Sequence, residues 1–395
     1  MSEITDLFAR FVQARSPLTP ADIGTVVVEQ DANDEIGSME EYLRLVAKIS
    51  PRPTSWADVI GNKVAVDILL EAEAKAQREQ RHFDHTLLFG PPGMGKTTLS
   101  RLVAKDMGGF FFETVASTLE TPTDLLKYLV AMNRRRNENG GRPSVLFIDE
   151  IHRLGQGVGR QAIDPEQLYG LLEDWKFPHN VTKPFRPHGY EKQPSITLRG
   201  DTYLVWPMTI IGATTDPGML PEPLLSRFPI KIQMEPYTEA EMTEIVLGSA
   251  TRLGLSIQEP AAQDIARFSR SNPRRANELL TQASNRSTGE IRLEHTRAVI
   301  ERLGLYPEGL TRTDVKILMV LADRGRRGAG QVELARAVGI ALSQFSGMVE
   351  PYLRLLGYME TLSRRVITQA GLRYLAALNL VDSDRPDVRA AIANG

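Results

Sequence analysis

Gly90-Pro-Pro-Gly-Met-Gly-Lys96-Thr97 is the stretch that decides the fold. A glycine, four residues and then Gly-Lys-Thr is the pattern of a phosphate-binding loop. Gly90, Gly93 and Gly95 let backbone N–H groups turn inward onto phosphate oxygens without a Cβ in the way, and Pro91, Pro92 and Met94 fill the turns between them. Lys96 has the reach for the β- and γ-phosphates of ATP, and the Thr97 hydroxyl can ligate Mg²⁺, with Thr98 beside it. Before the loop, Thr86-Leu-Leu-Phe89 reads as a short buried strand. After it, residues 97–105 read as a helix whose N-terminus adds a positive dipole end to the site.

Ser144-Val-Leu-Phe-Ile148 is a second apolar, strand-like run, and it ends in Asp149-Glu150. An aspartate at the end of such a strand suits magnesium, and the adjacent glutamate suits polarisation of an attacking water. Three weaker signals follow in order. Thr209-Ile-Ile-Gly-Ala-Thr214-Thr215 is a strand that ends in hydroxyls, with Thr214 placed for the γ-phosphate. Arg227, in Pro223-Leu-Leu-Ser-Arg-Phe, suits charge developing on a phosphate presented by another subunit. Asn272-Pro273-Arg274 opens a helix with Asn as cap and Pro in the first turn, which directs Arg274 toward the nucleotide.

The chain has 395 residues, which at about 150 residues per domain suggests two or three domains. It is 42% hydrophobic and 24% charged, as expected of a globular protein with a full core. There is no cysteine, which excludes disulfides and thiolate metal sites and fits a cytoplasmic location. No signal peptide is visible at the N-terminus, and no run approaches the ~18 apolar residues of a membrane span. A net charge of −2 means that any nucleic-acid contact must come from a local patch. His82 and His85 lack a third ligand for a metal, and His152 reads as a structural or sensing neighbour of Glu150.

Residues 1–50 form an acidic N-terminal extension, with a short helix expected around Leu7 to Val12 and a loop from Glu29 to Ser38. Residues 51–236 alternate apolar runs with helical patterns, which predicts a parallel α/β sheet. The runs are Thr86–Phe89, Phe110–Val115, Val145–Ile148, Thr209–Gly212 and Ile230–Met234, with a polar loop expected from Asn133 to Pro143. A hairpin is expected within 176–207, around Arg199-Gly200-Asp201. Residues 237–307 read as a helical lid opened by a Thr238/Glu241 capping box. In 308–380, short helices followed by two strands suggest a winged helix, and 381–395 reads as a frayed tail.

Several stretches together resemble the RuvB family of bacterial Holliday-junction branch-migration motors. They are Leu87 to Thr98, Val145-Leu-Phe-Ile-Asp-Glu-Ile-His-Arg-Leu154, Ile211-Gly-Ala-Thr-Thr215, Pro273-Arg274 and Glu350-Pro-Tyr-Leu353. The resemblance spans roughly residues 51–378. It implies an α/β P-loop AAA+ domain with a helical lid and a C-terminal winged-helix domain, assembled as a homo-hexamer that pulls duplex or four-way junction DNA. It further implies Lys96, Thr97, Asp149 and Glu150 as Walker residues, Thr214 as sensor 1, Arg227 as arginine finger and Arg274 as sensor 2. Val59, Ile60 and Tyr237 fall where the family packs around adenine. The 176–207 hairpin falls where it docks its partner RuvA.

Four departures stand out. The first fifty residues have no counterpart in the family. The finger segment reads Leu-Leu-Ser-Arg-Phe where the family usually has Leu-Arg-Asp-Arg-Phe, and the hairpin segment is longer. The wing reads Glu360-Thr-Leu-Ser-Arg-Arg365 where the family has a longer Arg-Thr-Pro-Arg-Gly-Arg.

Residues 311–378 carry ten Lys and Arg against five Asp and Glu. Arg364, Arg365, Arg326 and Arg327 are the candidates for DNA phosphate contact. The alternative function class is an ATP-driven protein-remodelling or assembly switch that kept this fold without DNA translocation. DNA stimulation of the ATPase separates the two.

Overall fold

The computed structural model describes residues 50–138, 140–154, 163, 165–178, 197–199 and 202–393. The helix expected at Leu7 to Val12, the loop from Glu29 to Ser38 and residues 179–196 lie outside the described residues. The chain divides into two compact units, one ending at Tyr237 and one starting at Thr238.

The first unit is built on a parallel sheet. Its strands are β1 (Thr86–Phe89), β2 (Phe111–Val115) and β3 (Val145–Asp149). A small antiparallel sheet of β4 (Lys176–Pro178), β5 (Thr197–Arg199) and β6 (Thr202–Leu204) follows, and β7 (Thr209–Thr214) and β8 (Ile230–Gln233) complete the main sheet. The order is β2-β3-β7-β1-β8, with every neighbouring pair parallel. Val145, Leu146, Phe147 and Ile148 are each at most 1% exposed. A strand covered on both faces has no reason to alternate, and so reads as one apolar run. The five apolar runs of the sequence are the five strands of this sheet.

Helix α1 (Lys63–Arg78) leads into β1, and α2 (Lys96–Asp106), α3 (Pro122–Glu138), α4 (Gln167–Asp174) and the single turn α5 (Glu222–Leu225) lie between strands. Thr121 starts α3 by directing its N–H and hydroxyl onto the Asp124 carboxylate, at 2.9 and 2.8 Å. The helix then runs to Glu138, through the first half of the loop expected from Asn133. Asn133 is buried, and its Oδ1 accepts the Trp206 N–H at 3.3 Å. A polar residue that reads as loop in the sequence is a tertiary cross-link here.

The second unit opens with α6 (Glu239–Arg252), α7 (Glu259–Phe268), α8 (Pro273–Ser284) and α9 (Leu293–Leu303). The Thr238/Glu241 capping box forms in both directions at the head of α6. The C-terminal part has α10 (Arg312–Arg324), α11 (Gln331–Val338), α12 (Leu342–Gln344) and α13 (Glu350–Leu355), the last two joined by a π turn. The hairpin β9 (Met359–Thr361) and β10 (Arg365–Ile367) follows, then α14 (Gln369–Ala377) and α15 (Pro386–Ala393). Arg365 pairs with Thr361 across the hairpin and with Ala329 on its other side, the pairing of a wing.

Helix α15 corrects the frayed tail expected at 381–395. Val388 and Ala391, three apart on one face, are fully buried in the core of this part, and Arg385 Nη2 donates to the Ala322 carbonyl at 2.8 Å. Two small apolar residues among charges are enough to dock a helix but too few to signal one in sequence.

Candidate active site

The phosphate-binding loop joins β1 to α2. All three of its glycines have positive φ: 140° at Gly90, 83° at Gly93 and 89° at Gly95. Gly90 is further constrained by space, because a Cβ there would stand 3.0 Å from the Met234 carbonyl oxygen. Lys96 is the first residue of α2 and is buried. Its Nζ donates to the carbonyls of Gly90 at 2.7 Å and Pro91 at 2.9 Å, which aligns the ammonium along the loop. Pro91 and Pro92 are exposed on the rim, Met94 is buried beneath it, and Thr97 and Thr98 are half-buried at the head of α2.

One side of the loop is closed by Tyr237, buried, whose hydroxyl donates to the Met94 carbonyl at 3.1 Å. The segment carrying Val59 and Ile60 is fastened to the same region. Asn62 Oδ1 accepts the Glu235 N–H at 2.8 Å, and Asn62 Nδ2 donates to the Glu235 carbonyl at 3.3 Å. The three residues assigned to adenine thus lie on two segments that a single asparagine ties together.

The other side carries the carboxylates. Asp149 ends β3, and its Oδ1 accepts the Glu150 N–H at 3.0 Å. Burial pushes the Asp149 carboxyl above its ordinary range and the Glu150 charge adds to this, while the Glu150 N–H and Lys96 oppose it. A carboxylate whose charge burial disfavours is one that a divalent cation stabilises. Asp149 and the Thr97 hydroxyl therefore suit magnesium as a donor pair of hard oxygens. Glu150 has φ 49°, a left-handed conformation that sets it apart from the strand direction and into the turn Ile151–Arg153.

Thr214 and Thr215, at the end of β7, divide their work. The Thr214 side chain is fully buried; its hydroxyl accepts the Asp216 N–H at 3.0 Å and lies 2.8 Å from His152 Nδ1. The Thr215 hydroxyl is the one that donates to Glu150 Oε2, at 3.0 Å, and His152 Nδ1 stands 3.3 Å from the same oxygen. Sequence reading singled out Thr214 and missed Thr215 as the partner of Glu150. The doubled threonine was the available signal, but which hydroxyl turns toward the carboxylate depends on the twist of the strand end.

Arg227 follows α5. Its guanidinium lies 4.1 Å above the Tyr169 ring, with Nε 3.0 Å from Glu173 Oε1 and Nη1 donating to the Pro223 carbonyl at 2.6 Å. Tyr169 and Glu173, both on α4, are residues that sequence reasoning did not connect with it. Arg274, in the second unit, is exposed in the first turn of α8, and its N–H is capped by Asn272 Oδ1 at 2.9 Å.

The four candidate DNA contacts separate into two kinds. Arg365 is turned inward, with Nε 2.9 Å from Glu350 Oε1 and Nη2 3.4 Å from Oε2. Glu350 also accepts from Gln331 and Thr361, at 2.9 and 3.2 Å. Burial pushes the Glu350 carboxyl up, but the hydrogen bonds from Arg365 and Gln331 outweigh it and hold it below its ordinary range. Arg365 thus braces the wing from inside, which corrects its reading as a phosphate contact. Arg364 pairs with Glu333 at 2.5 Å, while Arg326 and Arg327 are exposed on the turn after α10 and make no ion pair among the described residues.

His82 and His85 are stacked, with ring centroids 5.6 Å apart. His85 Nδ1 accepts the Ile210 N–H at 2.9 Å, and burial lowers its pKa to about 4, so the ring is a neutral core acceptor.

Comparison with known proteins follows the same lines. The profile of the Holliday junction DNA helicase RuvB P-loop domain matches residues 51–234, and that of the RuvB AAA lid domain matches residues 237–304. The chain is 37% identical over 332 residues to the Holliday junction branch migration complex subunit RuvB 2 of Synechococcus sp. (strain JA-3-3Ab), covering 82% of this chain and 83% of the relative. It is 33% identical over 335 residues to the RuvB subunit of Helicobacter hepaticus, covering 82% and 92%. The solved Thermotoga maritima RuvB Holliday junction branch migration motor superposes with a TM-score of 0.65 at 29% identity, over 84% of this chain and 99% of that one.

Proposed function

The chain belongs to the RuvB family of Holliday junction DNA helicases, and from that premise we propose which of its residues run the motor. It is an AAA+ ATPase that uses ATP with Mg²⁺ to drive branch migration of Holliday junctions. The observation that carries the residue assignment is the convergence of the Lys96 loop, Asp149-Glu150 and Thr214-Thr215 on the C-terminal ends of three adjacent strands, β1, β3 and β7.

Lys96 exchanges two neutral carbonyl acceptors for phosphate oxygens, a change that favours a charged donor. Magnesium held by Thr97 and Asp149 would neutralise charge on the phosphates. Glu150 accepts the proton of the attacking water, and Thr215 and His152 keep its carboxylate aimed until then. Thr214, through His152, fixes the geometry of that group. Arg227 acts on the nucleotide of a neighbouring subunit in a homo-hexamer, and Arg274 acts as the lid's arginine. Val59, Ile60 and Tyr237 enclose the adenine. Arg326, Arg327 and Arg364 contact DNA phosphates. A RuvA-type partner docks on the 176–207 segment, and the motor works in the cytoplasm.

The test is the steady-state ATPase rate without DNA, with linear duplex and with a four-way junction, at low and moderate salt. Stimulation by duplex or junction that weakens steeply with salt is expected. Hydrolysis indifferent to every DNA would overturn the assignment of a DNA-gripping C-terminal domain.

A further inference from the structure

Only five residues separate the end of α7 from the exposed Arg274, and two of them, Arg270 and Ser271, hold left-handed φ values of 60° and 51°. Non-glycine residues stay in that region only where their surroundings over-determine them. Here the surroundings come from the C-terminal part of the same unit. Arg270 Nε donates to the Gly309 carbonyl at 2.9 Å, Nη2 pairs with Asp314 Oδ2, and the guanidinium lies 4.6 Å above the Tyr352 ring. Arg275, on the other side of Arg274, donates to the same Gly309 carbonyl at 3.1 Å.

The receiving side is as constrained as the donor. The Asp314 side chain is 1% exposed, and Arg270 is its ion-pair partner among the described residues. Its Oδ2 also accepts from the Thr311 N–H and hydroxyl, both at 2.6 Å, so the carboxylate that receives Arg270 is the one that caps α10. Gly309 has φ 67°, and a Cβ there would overlap the Phe268 carbonyl oxygen at the end of α7. Tyr352, of Glu-Pro-Tyr-Leu, donates to the Glu308 carbonyl at 2.6 Å. A planar, permanently charged guanidinium fills all three roles at once (carbonyl donor, carboxylate partner, ring-stacking plane), which an ammonium cannot.

We infer that Arg270, seated on Asp314, Gly309 and Tyr352, is a positioning residue that makes the turn bearing Arg274 and the C-terminal winged helix move as one body, so that a change at the nucleotide is passed undamped to the DNA-gripping domain. The coupling to nucleotide and DNA rests on the function proposed above; the one-body claim does not.

The natural absence of cysteine allows the full chain to be spin-labelled at two introduced sites, Glu301→Cys on α9 and Ala377→Cys at the end of α14, both exposed. Pulsed electron–electron distances are read with ADP and with a non-hydrolysable ATP analogue, beside duplex affinity in each state. One narrow distance distribution, the same in both nucleotide states, is expected. In Arg270→Gln or Asp314→Asn the distribution should broaden, and the ratio of duplex affinities between the two states should move at least five-fold toward one. Arg270→Lys should fall between. A purely structural role would lower thermal stability without changing that ratio. Should Arg270→Gln fail to fold, Tyr352→Phe removes a single hydroxyl from the same junction and should still broaden the distances. A distance that shifts with nucleotide in the unsubstituted chain, or one that stays narrow in every folded variant, overturns the inference. Absence of duplex binding would count against the DNA reading alone, since the distances still decide the latch.

Discussion

Gly212→Ala tests whether the centre of the sheet sets the position of Glu150, the proposed general base. Gly212 lies in β7 opposite Leu87 of β1 and Ile148 of β3. A Cβ there would stand 2.9 Å from Ile151 Cδ1, 3.4 Å from Ile151 Cγ2 and 3.3 Å from Leu87 Cδ1. Carbon atoms prefer about 3.5–4.0 Å, so the new methyl drives into Ile151. Ile151 is 1% exposed and directly follows Glu150, so it cannot swing into solvent. Inserting a methyl into such a core costs about 1–3 kcal/mol. The reduced freedom of the unfolded chain offsets about 0.4–1 kcal/mol. A net loss of about 1–2 kcal/mol corresponds to a Tm lower by about 2–8 °C for a unit of this size. Displacing a catalytic group by 1 Å can lower the rate about 10²-fold. The smaller shift expected here should lower kcat about 3–10-fold, while ATP affinity, held on the Lys96 side, stays as it was. Ile151→Val removes the Cδ1 that is struck. The double variant should therefore regain much of the lost Tm and kcat, a coupling visible in a double-mutant cycle. Strictly additive losses, or a fall in Tm with kcat untouched, would refute the link from Gly212 through Ile151 to Glu150.

Glu150→Gln should bind a fluorescent ATP analogue as tightly as the natural chain while turnover falls about 10²–10⁴-fold; near-normal turnover would remove Glu150 from its role. Burial, with the Asp106 charge adding, raises the Glu73 pKa to about 8 from an ordinary 4.5, so the native state holds a proton that the unfolded chain has released. Its stabilising contribution is full below pH 4.5 and is lost as pH rises to about 8. Urea midpoints at pH 5 and 8.5 should accordingly converge in Glu73→Gln relative to the natural chain. Replacing Arg326 and Arg327 together by Ala should reduce the salt slope of duplex binding by about 1.8, two phosphate contacts' worth. Arg365→Ala should instead destabilise the C-terminal part by about 3 kcal/mol, because it leaves the Glu350 carboxylate buried and unpaired.

What the sequence made legible follows from the range of the physics involved. The loop from Gly90 to Thr97 and the five strands are local: each is a contiguous run whose residue types act on their own backbone or bury together. Arg227 was found by its place in the chain, but Glu173 and Tyr169, which hold it, were not, because that pairing closes a loop of more than fifty residues. Thr215 against Glu150 closes a loop of 65 residues and Arg270 against Asp314 one of 44, both equally invisible to local pattern. Arg365 was misread because a surface-type residue in a wing hairpin looks available until the buried Glu350 that holds it is seen. The last helix was missed because its anchoring stripe is only Val388 and Ala391.

Glu350 gathers Gln331 from the head of α11, Thr361 from β9 and Arg365 from β10 onto one buried carboxylate. The clasp ties the base of the wing, at Thr361 and Arg365, to the head of α11, while the tip residues 362–364 reach α11 through the Arg364–Glu333 pair. The spacing of the wing is thus set by the clasp at its base, and its surface chemistry by residues 362–364 at its tip.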